Sequence, residues 1–143
     1  MIKSKVHYTK NNNFIFIPMS YGISFNIWRK MGLINRELAY FKKISDKFCD
    51  VKFNTYDNNI DEIILLTSHI PSGKIIYQKN RFWDKIKFGD LISSFISPFF
   101  NIHKFKKCIL VRSAQTSEAI SGLIIARIIK VPFILRSGYL LSE

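Results

Sequence analysis

The sequence predicts an α/β protein with a mostly parallel β-sheet that helices cover on both faces. Short apolar runs alternate along the chain with longer helical patterns, which is typical of strands joined by helical crossovers. The apolar runs lack the polar positions of a half-exposed strand, as expected of strands buried on both sides. The chain has 143 residues, 48% hydrophobic and 15% aromatic, and therefore suits one domain with a substantial core.

The N-terminal part predicts a strand followed by a long helix. Residues 14–19, FIFIPM, form an apolar run typical of a buried strand, and the turn Ser20-Tyr21-Gly22 follows it. From near Ser24, apolar side chains recur at spacings of three and four and define one helical stripe. The stripe consists of Ile27, Met31, Ile34, Leu38, Phe41, Ile44 and Phe48. Gly32 lies inside it and costs about 1 kcal/mol relative to alanine in a helix interior.

The middle of the chain predicts two strands and favours a further short one. Residues 51–56, VKFNTY, alternate and are β-prone, and the turn cluster Asp57-Asn58-Asn59 follows them. Residues 62–67, EIILLT, form another apolar run and predict the next strand. After a break at Pro71-Ser72-Gly73, residues 74–78, KIIYQ, favour a further short strand.

Residues 81–107 combine many aromatic side chains with lysines. Gly89 and Pro98 interrupt the pattern and predict one or two short helices rather than a long one. Two interpretations stay open: the segment covers one face of the sheet, or it forms an interfacial membrane anchor. The lysines in question are Lys85, Lys87, Lys104, Lys106 and Lys107.

The C-terminal part predicts a strand, a helix and a final strand. Residues 108–111 are the first of these strands, and residues 131–135 are the second. Between them, Thr116 or Ser117 is a candidate cap for a helix that ends at about Lys130. Because this helix is apolar on most sides, we expect other elements to cover it on more than one side.

The composition of the chain gives its net charge and indicates its cellular compartment. Lys and Arg total 22 against 10 Asp and Glu, which gives a net charge of +12 and a pI near 9.9. The excess is spread along the chain and suits nucleic acid or an anionic membrane surface, or else reflects compositional bias. The spacing of Cys49 and Cys108 indicates neither a disulfide scaffold nor a cysteine-based zinc site. We find no signal peptide or long apolar span, and we expect a cytoplasmic protein.

Several kinds of catalytic site are not predicted. His7, His69 and His103 are far apart in sequence, so we expect no metal site. The chain contains neither a dinucleotide-binding glycine pattern nor a phosphate-binding loop of the Walker type, and we expect no cofactor. No catalytic triad or pair of carboxylates is indicated. The only acidic residues close to the predicted strand ends, Asp57 and Asp61, have the character of turn residues.

Ligands of open α/β sheets bind beyond the carboxyl ends of the strands, which directs attention to four loops. They are residues 20–24, 55–57, 113–116 and 136–139. The first leads into a helix N-terminus and suits an anion or a hydroxyl-rich ligand, or is an ordinary turn. For the third loop two interpretations stay open: its side chains bind a polar ligand, or they only cap the following helix. In the fourth, Arg136 contacts a phosphate or carboxylate ligand, or pairs with a neighbouring carboxylate of the protein.

Four short elements in these loops resemble the N-terminal half of a family 4 glycosyltransferase of the GT-B fold. They are a G-x-S type loop followed by a Trp segment and an R-E pair, then T-Y-[GD]-[ND], [TS]-[NA]-Q and R-x-G-Y. In this chain they correspond to Gly22, Ser24, Trp28, Arg36 and Glu37; Thr55 to Asn58; Ser113 to Gln115; and Arg136 to Tyr139.

The resemblance implies a Rossmann-like, acceptor-side domain over residues 14–143, after a flexible N-terminus of residues 1–13. We expect this domain to be truncated at its C-terminal end, as an incomplete N-terminal half of a GT-B fold. The acceptor-binding residues that it implies are Gly22, Ser24, Thr55 and Tyr56. The residues that it implies at the cleft between the two domains are Ser113, Gln115, Arg136, Gly138 and Tyr139.

The implied reaction is retaining transfer of a sugar from a nucleotide-sugar to a lipid-linked sugar or polysaccharide. In the family the C-terminal domain binds the nucleotide-sugar and carries two glutamates that are separated by seven residues. This chain has only Glu37, Glu62, Glu118 and Glu143, so no such pair exists. We therefore expect no catalytic residue and no turnover from the chain alone. The expected partners are the donor held by a missing domain, a glycan or lipid-linked acceptor and the anionic inner membrane surface, without nucleic acid.

Two other classes of function stay open. The chain could be a non-catalytic basic binding module or a membrane-docking partner subunit, which would explain the net charge without an active site. It could also be a degenerate fragment without function, whose uncovered sheet would make the product prone to aggregation.

Overall fold

Five parallel strands form one sheet in the computed structural model, which describes residues 12–78, 81–114 and 119–136. The strands are β1 (Phe14–Ile17), β2 (Asp50–Thr55), β3 (Lys74–Gln78), β4 (Cys108–Arg112) and β5 (Phe133–Ile134). Their spatial order is β3-β2-β1-β4-β5, so the chain builds outward from β1 to β3 and then crosses back to β4. This arrangement confirms the predicted α/β class with a parallel, Rossmann-like sheet.

Helices lie on both faces of the sheet, as predicted. The α-helices of the described residues are α1 (Phe25–Lys30), α2 (Ile34–Lys47), α3 (Ile60–His69), α4 (Gly89–Phe100) and α5 (Ala119–Ile129), with 3-10 helices at Arg81–Lys85 and Ile102–Phe105. Side chains of α1, α2 and α3 join the apolar cluster on one face. Side chains of α5 and of the second 3-10 helix join the cluster on the other face.

The central strand β1 divides the core into these two clusters. Ile15 and Ile17 enter the cluster beneath α1, α2 and α3, whereas Phe14 and Phe16 enter the opposite one. Successive side chains of a strand point to opposite faces, so an apolar run without polar positions requires a strand covered on both sides. The burial of all four side chains therefore confirms the sequence argument for a buried first strand.

The expectation of one continuous helix from Ser24 to Phe48 is wrong. Gly32 has φ +71°, a left-handed conformation that only glycine adopts without strain, and it ends the first helix. The Leu33 backbone N–H donates to the Trp28 carbonyl at 2.8 Å and closes this helix end. The apolar stripe continues across the break because α1 and α2 pack on the same face of the sheet.

The expectation of a strand at residues 62–67 is also wrong, because these residues lie within helix α3. Asn59 caps this helix: its side-chain oxygen accepts from the Asp61 backbone N–H at 3.2 Å. The third strand of the sheet is instead residues 74–78, the run KIIYQ. An apolar run of this length suits a buried strand or a helix segment equally, and the cap selects the helix here.

Residues 81–107 form short helices, which confirms that part of the prediction. Helix α4 begins at Gly89 and ends at Phe100, and Pro98 occupies its last turn. This helix turns small residues towards the protein, since Ser93, Ser94 and Pro98 are buried. Two of its three aromatic residues point away: Phe99 and Phe100 are 54% and 77% exposed, whereas Phe95 is half-buried. Helix α4 therefore packs with its small residues inward, whereas Phe105 of the second 3-10 helix is buried in the apolar core.

Helix α5 also keeps an exposed apolar side, whereas the sequence predicts that other elements cover it on more than one side. Ile125 and Ala126 are buried in the core, but Ile120, Leu123 and Ile128 are exposed. The described part of the chain places no element over these three side chains. None of the helices in the described ranges is long and apolar enough to cross a membrane.

The buried thiol of Cys108 makes the fold sensitive to alkaline pH. Burial raises the pKa of this thiol from 9.0 to about 11. As the pH rises, the thiol therefore loses its proton in the unfolded chain before it does so in the folded one. The free energy of unfolding falls progressively between pH 9.0 and about 11. We expect this thiol to lower the free energy of unfolding by about 1–2 kcal/mol across that window. Urea unfolding below and above the window measures the fall.

The Cys108→Ala variant lacks this thiol, so its stability should fall less over the same window. The Cys49→Ala variant removes the other buried cysteine but keeps Cys108 and its burial, the main cause of the shift, so it should retain most of the fall. An identical pH dependence in Cys108→Ala and the parent chain would show that the thiol does not contribute.

Candidate functional site

The carboxyl edge of the sheet holds the crevice where ligands of open α/β sheets bind. β1 and β4 are adjacent, and the connections that leave them run to opposite faces of the sheet. Such a reversal separates the two loops and opens a crevice between them. The loop after β1 is described completely, whereas the loop after β4 is described only to Ala114.

Two adjoining cavities lie at this edge and share one wall, Asp84. The first, of about 530 Å³, lies between the β1–α1 loop and the start of α4. The second, of about 600 Å³, lies beside the β2–α3 loop. The first is lined by Tyr21, Asp84, Ile86, Phe88, Gly89, Asp90 and Leu91. The second is lined by Tyr56, Asp57, Asn58, Asn59, Ile60 and Asp84. We call the two together the carboxyl-edge cleft.

Gly22 allows the β1–α1 loop to lie against the first turn of α4. It has φ +76°, and a Cβ atom at this position would lie only 3.2 Å from the Asp90 Oδ2 atom. A side chain would therefore be strained and would also press on the carboxylate. The Ile23 backbone N–H donates to the Ser20 carbonyl at 2.9 Å and closes the turn that presents Tyr21 to the cleft.

The β2–α3 loop is held in place by its own side chains. The Asp57 Oδ1 atom accepts from the Asn59 backbone N–H at 3.0 Å, which is the geometry of an Asx turn. The Asp57 Oδ2 atom accepts from the Asn26 side-chain amide at 3.4 Å and links this loop to α1. The expectation that Asp57 is a turn residue is confirmed, although it also lines the cleft.

A buried carboxylate beneath the cleft connects both loops. Glu62 is 0% exposed, and its two oxygens accept from the backbone N–H groups of Phe25 and Asn26, each at 2.8 Å. Its Oε2 atom also accepts from the Thr55 hydroxyl at 2.7 Å. The first turn of α1 and the end of β2 are therefore bound to one side chain of α3. A carboxylate suits this place because unpaired N–H groups at a helix start carry partial positive charge.

The structure separates the four residues implied as acceptor-binding into two pairs. Tyr56 lines the carboxyl-edge cleft, and Gly22 lies beside it, next to Tyr21. Ser24 and Thr55 are buried, and their hydroxyl groups are used inside the protein. The Ser24 Oγ atom accepts from the Ile27 backbone N–H at 3.3 Å and caps α1, while Thr55 donates to Glu62. Their acceptor-binding role stays a prediction.

Two residues implied at the inter-domain cleft lie together on the other side of β1. Ser113 is fully buried, and its Oγ atom accepts from the Arg136 backbone N–H at 2.9 Å. The Arg136 Nη1 atom donates to the Glu37 Oε2 atom at 2.6 Å. This ion pair matches the alternative in which Arg136 pairs with a carboxylate of the protein. Gln115, Gly138 and Tyr139 lie outside the described residues.

Arg112 lies near Arg136 and Glu37 and packs against α2. Its guanidinium lies 4.4 Å from the centroid of the Tyr40 ring, a cation–π geometry. Burial is the main cause that lowers the pKa of Arg112, and the charge of Arg136 lowers it further. Glu37 opposes that shift. This buried carboxylate is also ion-paired with Arg36 and Arg136, so its single negative charge faces three arginines.

Three acidic residues of the site were missed in the sequence. Asp84 and Asp90 lie in the connection that follows β3, a strand end that the sequence analysis did not include among its ligand loops, and the packing of residues 81–91 places them in the cleft. The apolar run predicts that Glu62 lies in a strand, but the sequence also contains a signal for the start of a helix. Asn59 followed by Glu62 three residues later, before an apolar run, is the spacing of a helix N-terminus.

These features define a Rossmann-like α/β protein with a polar cleft at the carboxyl edge of its sheet. Comparison of the chain with family models, with curated proteins and with solved structures finds no match. Within the described ranges, no three His, Cys, Asp or Glu side chains come together in a way that could hold a metal ion.

Glu62→Gln tests whether this buried carboxylate holds the loops of the cleft. An amide has one accepting oxygen, so in either orientation its NH₂ group would face the backbone N–H of Phe25 or of Asn26 and leave that buried donor unpaired. We expect the free energy of unfolding to fall by about 2–3 kcal/mol in urea titrations.

The matched control is Asp61→Asn, the same chemical change one residue earlier on the exposed side of α3. Asp61 interacts with the N-terminus of α3 through its charge but is exposed, so this change should lower stability by about 1 kcal/mol or less. Equal losses in the two variants would contradict a special role of the Glu62 hydrogen bonds.

Proposed function

We propose that the chain is the acceptor-binding domain of a glycosyltransferase similar to family 4 enzymes of the GT-B fold. Such an enzyme moves a sugar from a nucleotide-sugar to a lipid-linked sugar or a polysaccharide. The observation that carries the proposal is the make-up of the carboxyl-edge cleft, which combines carboxylates, amides and aromatic rings. The order of the four sequence elements that resemble this family supports the same conclusion.

The chemistry of the cleft suits a neutral, hydroxyl-rich ligand. Sugar hydroxyls donate to carboxylate and amide oxygens, and the C–H faces of sugar rings pack on aromatic side chains. The acceptors come from Asp57, Asp84 and Asp90 together with Asn58 and Asn59. The aromatic rings are those of Tyr21, Tyr56 and Phe88. Both kinds of contact are therefore available within one cleft.

The charge of the cleft lining favours a neutral ligand over one that carries a phosphate group. The chain has a net charge of +12, yet the described lining of the cleft contains three carboxylates and no cationic side chain. A nucleic acid or a nucleotide phosphate would meet like charge there, which disfavours its binding. This supports an acceptor site and leaves the nucleotide-sugar to a separate domain.

The exposed side of α4 supports attachment to an anionic membrane surface on the cytoplasmic side. Phe99 and Phe100 are exposed at the C-terminal end of the helix, and Ile102 is exposed beside them. Lys106 and Lys107 follow this segment, and both are exposed. Apolar side chains beside lysines are typical of helices that lie in a bilayer interface.

The same apolar surface also favours the second candidate function, a non-catalytic subunit that docks a partner on the membrane. The two functions differ in the cleft, because only an acceptor domain requires it to bind sugars. Sugar binding and membrane binding are therefore measured separately.

Sugar binding is tested by NMR titration with glucose, galactose, N-acetylglucosamine and their disaccharides. We expect a sugar to shift signals of the cleft, and Tyr56→Ala and Asp84→Asn to weaken binding about tenfold each through loss of ring contact or a hydrogen bond. Asp46→Asn, a change of the same type on the exposed side of α2, should leave binding unchanged. If UMP shifts the cleft signals and no sugar does, the acceptor proposal is wrong.

Membrane attachment is tested by sedimentation with neutral and anionic lipid vesicles. The double variant Phe99→Ser/Phe100→Ser removes two rings, each worth about 1.5–3 kcal/mol when fully buried, so anionic vesicles should bind it at least about tenfold more weakly. The control Phe48→Ser/Ile63→Ser removes two other exposed apolar side chains, one just after the end of α2 and one on α3. Equal losses in the two double variants would reject α4 as the contact surface.

A further inference from the structure

Three lysines converge on a cavity at the amino end of the sheet, the end opposite the carboxyl-edge cleft. The cavity has a volume of about 330 Å³ and is lined by Lys52, Lys74, Lys104, Ile75 and Ile76. Lys74 is the first residue of β3, and the parallel register places Lys52 directly beside it. Lys104 comes from the 3-10 helix that precedes β4. Three separate elements therefore supply the three ammonium groups.

Two of the ammonium groups are held by contacts within the protein. The Lys52 Nζ atom lies 3.7 Å from the centroid of the Phe14 ring, which is a cation–π contact. The Lys104 Nζ atom donates to the Ile76 carbonyl at 3.1 Å. Ile76 is the extra residue of an irregularity in the pairing of β2 with β3, and such a residue is left out of the regular ladder. This positions the charges before any ligand arrives.

The charge of the cavity is not balanced by its own lining. None of the described residues that line it is acidic. Burial lowers the pKa of Lys52, and the neighbouring charge of Lys74 lowers it further, against an opposing contribution from Asp50. The proximity of these like charges therefore disfavours the empty, fully protonated state, and a bound anion would relieve it.

We propose that this cavity binds a phosphate group. A phosphate presents several oxygens to several donors, and lysines bind it as point charges without the planar geometry that a carboxylate–arginine pair requires. The cavity volume lies at the lower end of the range of about 300–1,000 Å³ that is typical of small-molecule sites. A phosphate attached to a small soluble molecule or to a lipid head group satisfies this chemistry.

The site is separate from the carboxyl-edge cleft in both place and charge. The cleft lies beyond the carboxyl ends of the strands and its described lining is acidic, whereas this cavity lies near their amino ends and is basic. Phosphate binding here is therefore independent of the proposed sugar binding, and either can fail without the other.

The test is a calorimetric titration with inorganic pyrophosphate at low ionic strength, with NMR to locate the shifted residues. We expect signals of Lys52, Lys74 and Ile76 to shift, and Lys74→Gln and Lys104→Gln to weaken binding about five- to tenfold each. Lys74 and Lys104 are exposed, so these variants keep the fold even if Lys52→Gln does not. Lys43→Gln, the same charge change on the exposed side of α2, is the control and should bind within about twofold of the parent chain.

Sedimentation with vesicles that contain phosphatidic acid distinguishes the two sources of phosphate. If Lys74→Gln reduces vesicle binding and soluble pyrophosphate displaces the vesicles, the cavity takes a lipid head group. If Lys74→Gln weakens pyrophosphate binding alone, the cavity takes a soluble phosphate. The proposal is overturned if pyrophosphate does not bind, or if Lys43→Gln weakens binding as much as Lys74→Gln does.

Discussion

The position of the carboxyl-edge cleft depends on the hydrogen bonds of Glu62. This fully buried carboxylate of α3 accepts from two backbone N–H groups of α1 and from the hydroxyl of Thr55 at the end of β2. A buried carboxylate is stable only when donors satisfy its oxygens, so the three segments stay together or the charge is left unpaired. Both loops that line the cleft, one before α1 and one after β2, are thereby fixed relative to each other.

The sheet also separates charge in a chain that is basic as a whole. At the carboxyl ends of the strands, Asp57 and Asp84 line the cleft, while at the amino ends Lys52 and Lys74 stand side by side. Parallel strands make this separation possible, because every strand start lies at one edge and every strand end at the other. The average charge therefore says little about the ligand of either edge, and the two edges suit ligands of different classes.

The sequence predicted the fold class because that class depends on burial patterns that are local. The apolar run of β1 reads as a strand covered on both faces, and the structure buries its alternate side chains in two separate clusters. The errors arose where the same local pattern suits two structures. The run from Glu62 to Thr67 suits a strand or a helix, and the Asn59 cap selects the helix. The apolar stripe predicts one helix that continues through Gly32, but Gly32 adopts a positive φ and α1 ends before it.

The sequence by itself determined the alternation of strands and helices, the buried character of β1 and the loops in which a ligand site should lie. Only the tertiary structure decided which side chains meet in those loops. Asp84 and Asp90 reach the cleft because residues 81–91 fold back against the β1–α1 loop, and Glu37 meets Arg136 across 99 positions of sequence. Hydrophobic periodicity records which side of an element is buried, whereas contacts between distant polar residues depend on how the elements pack.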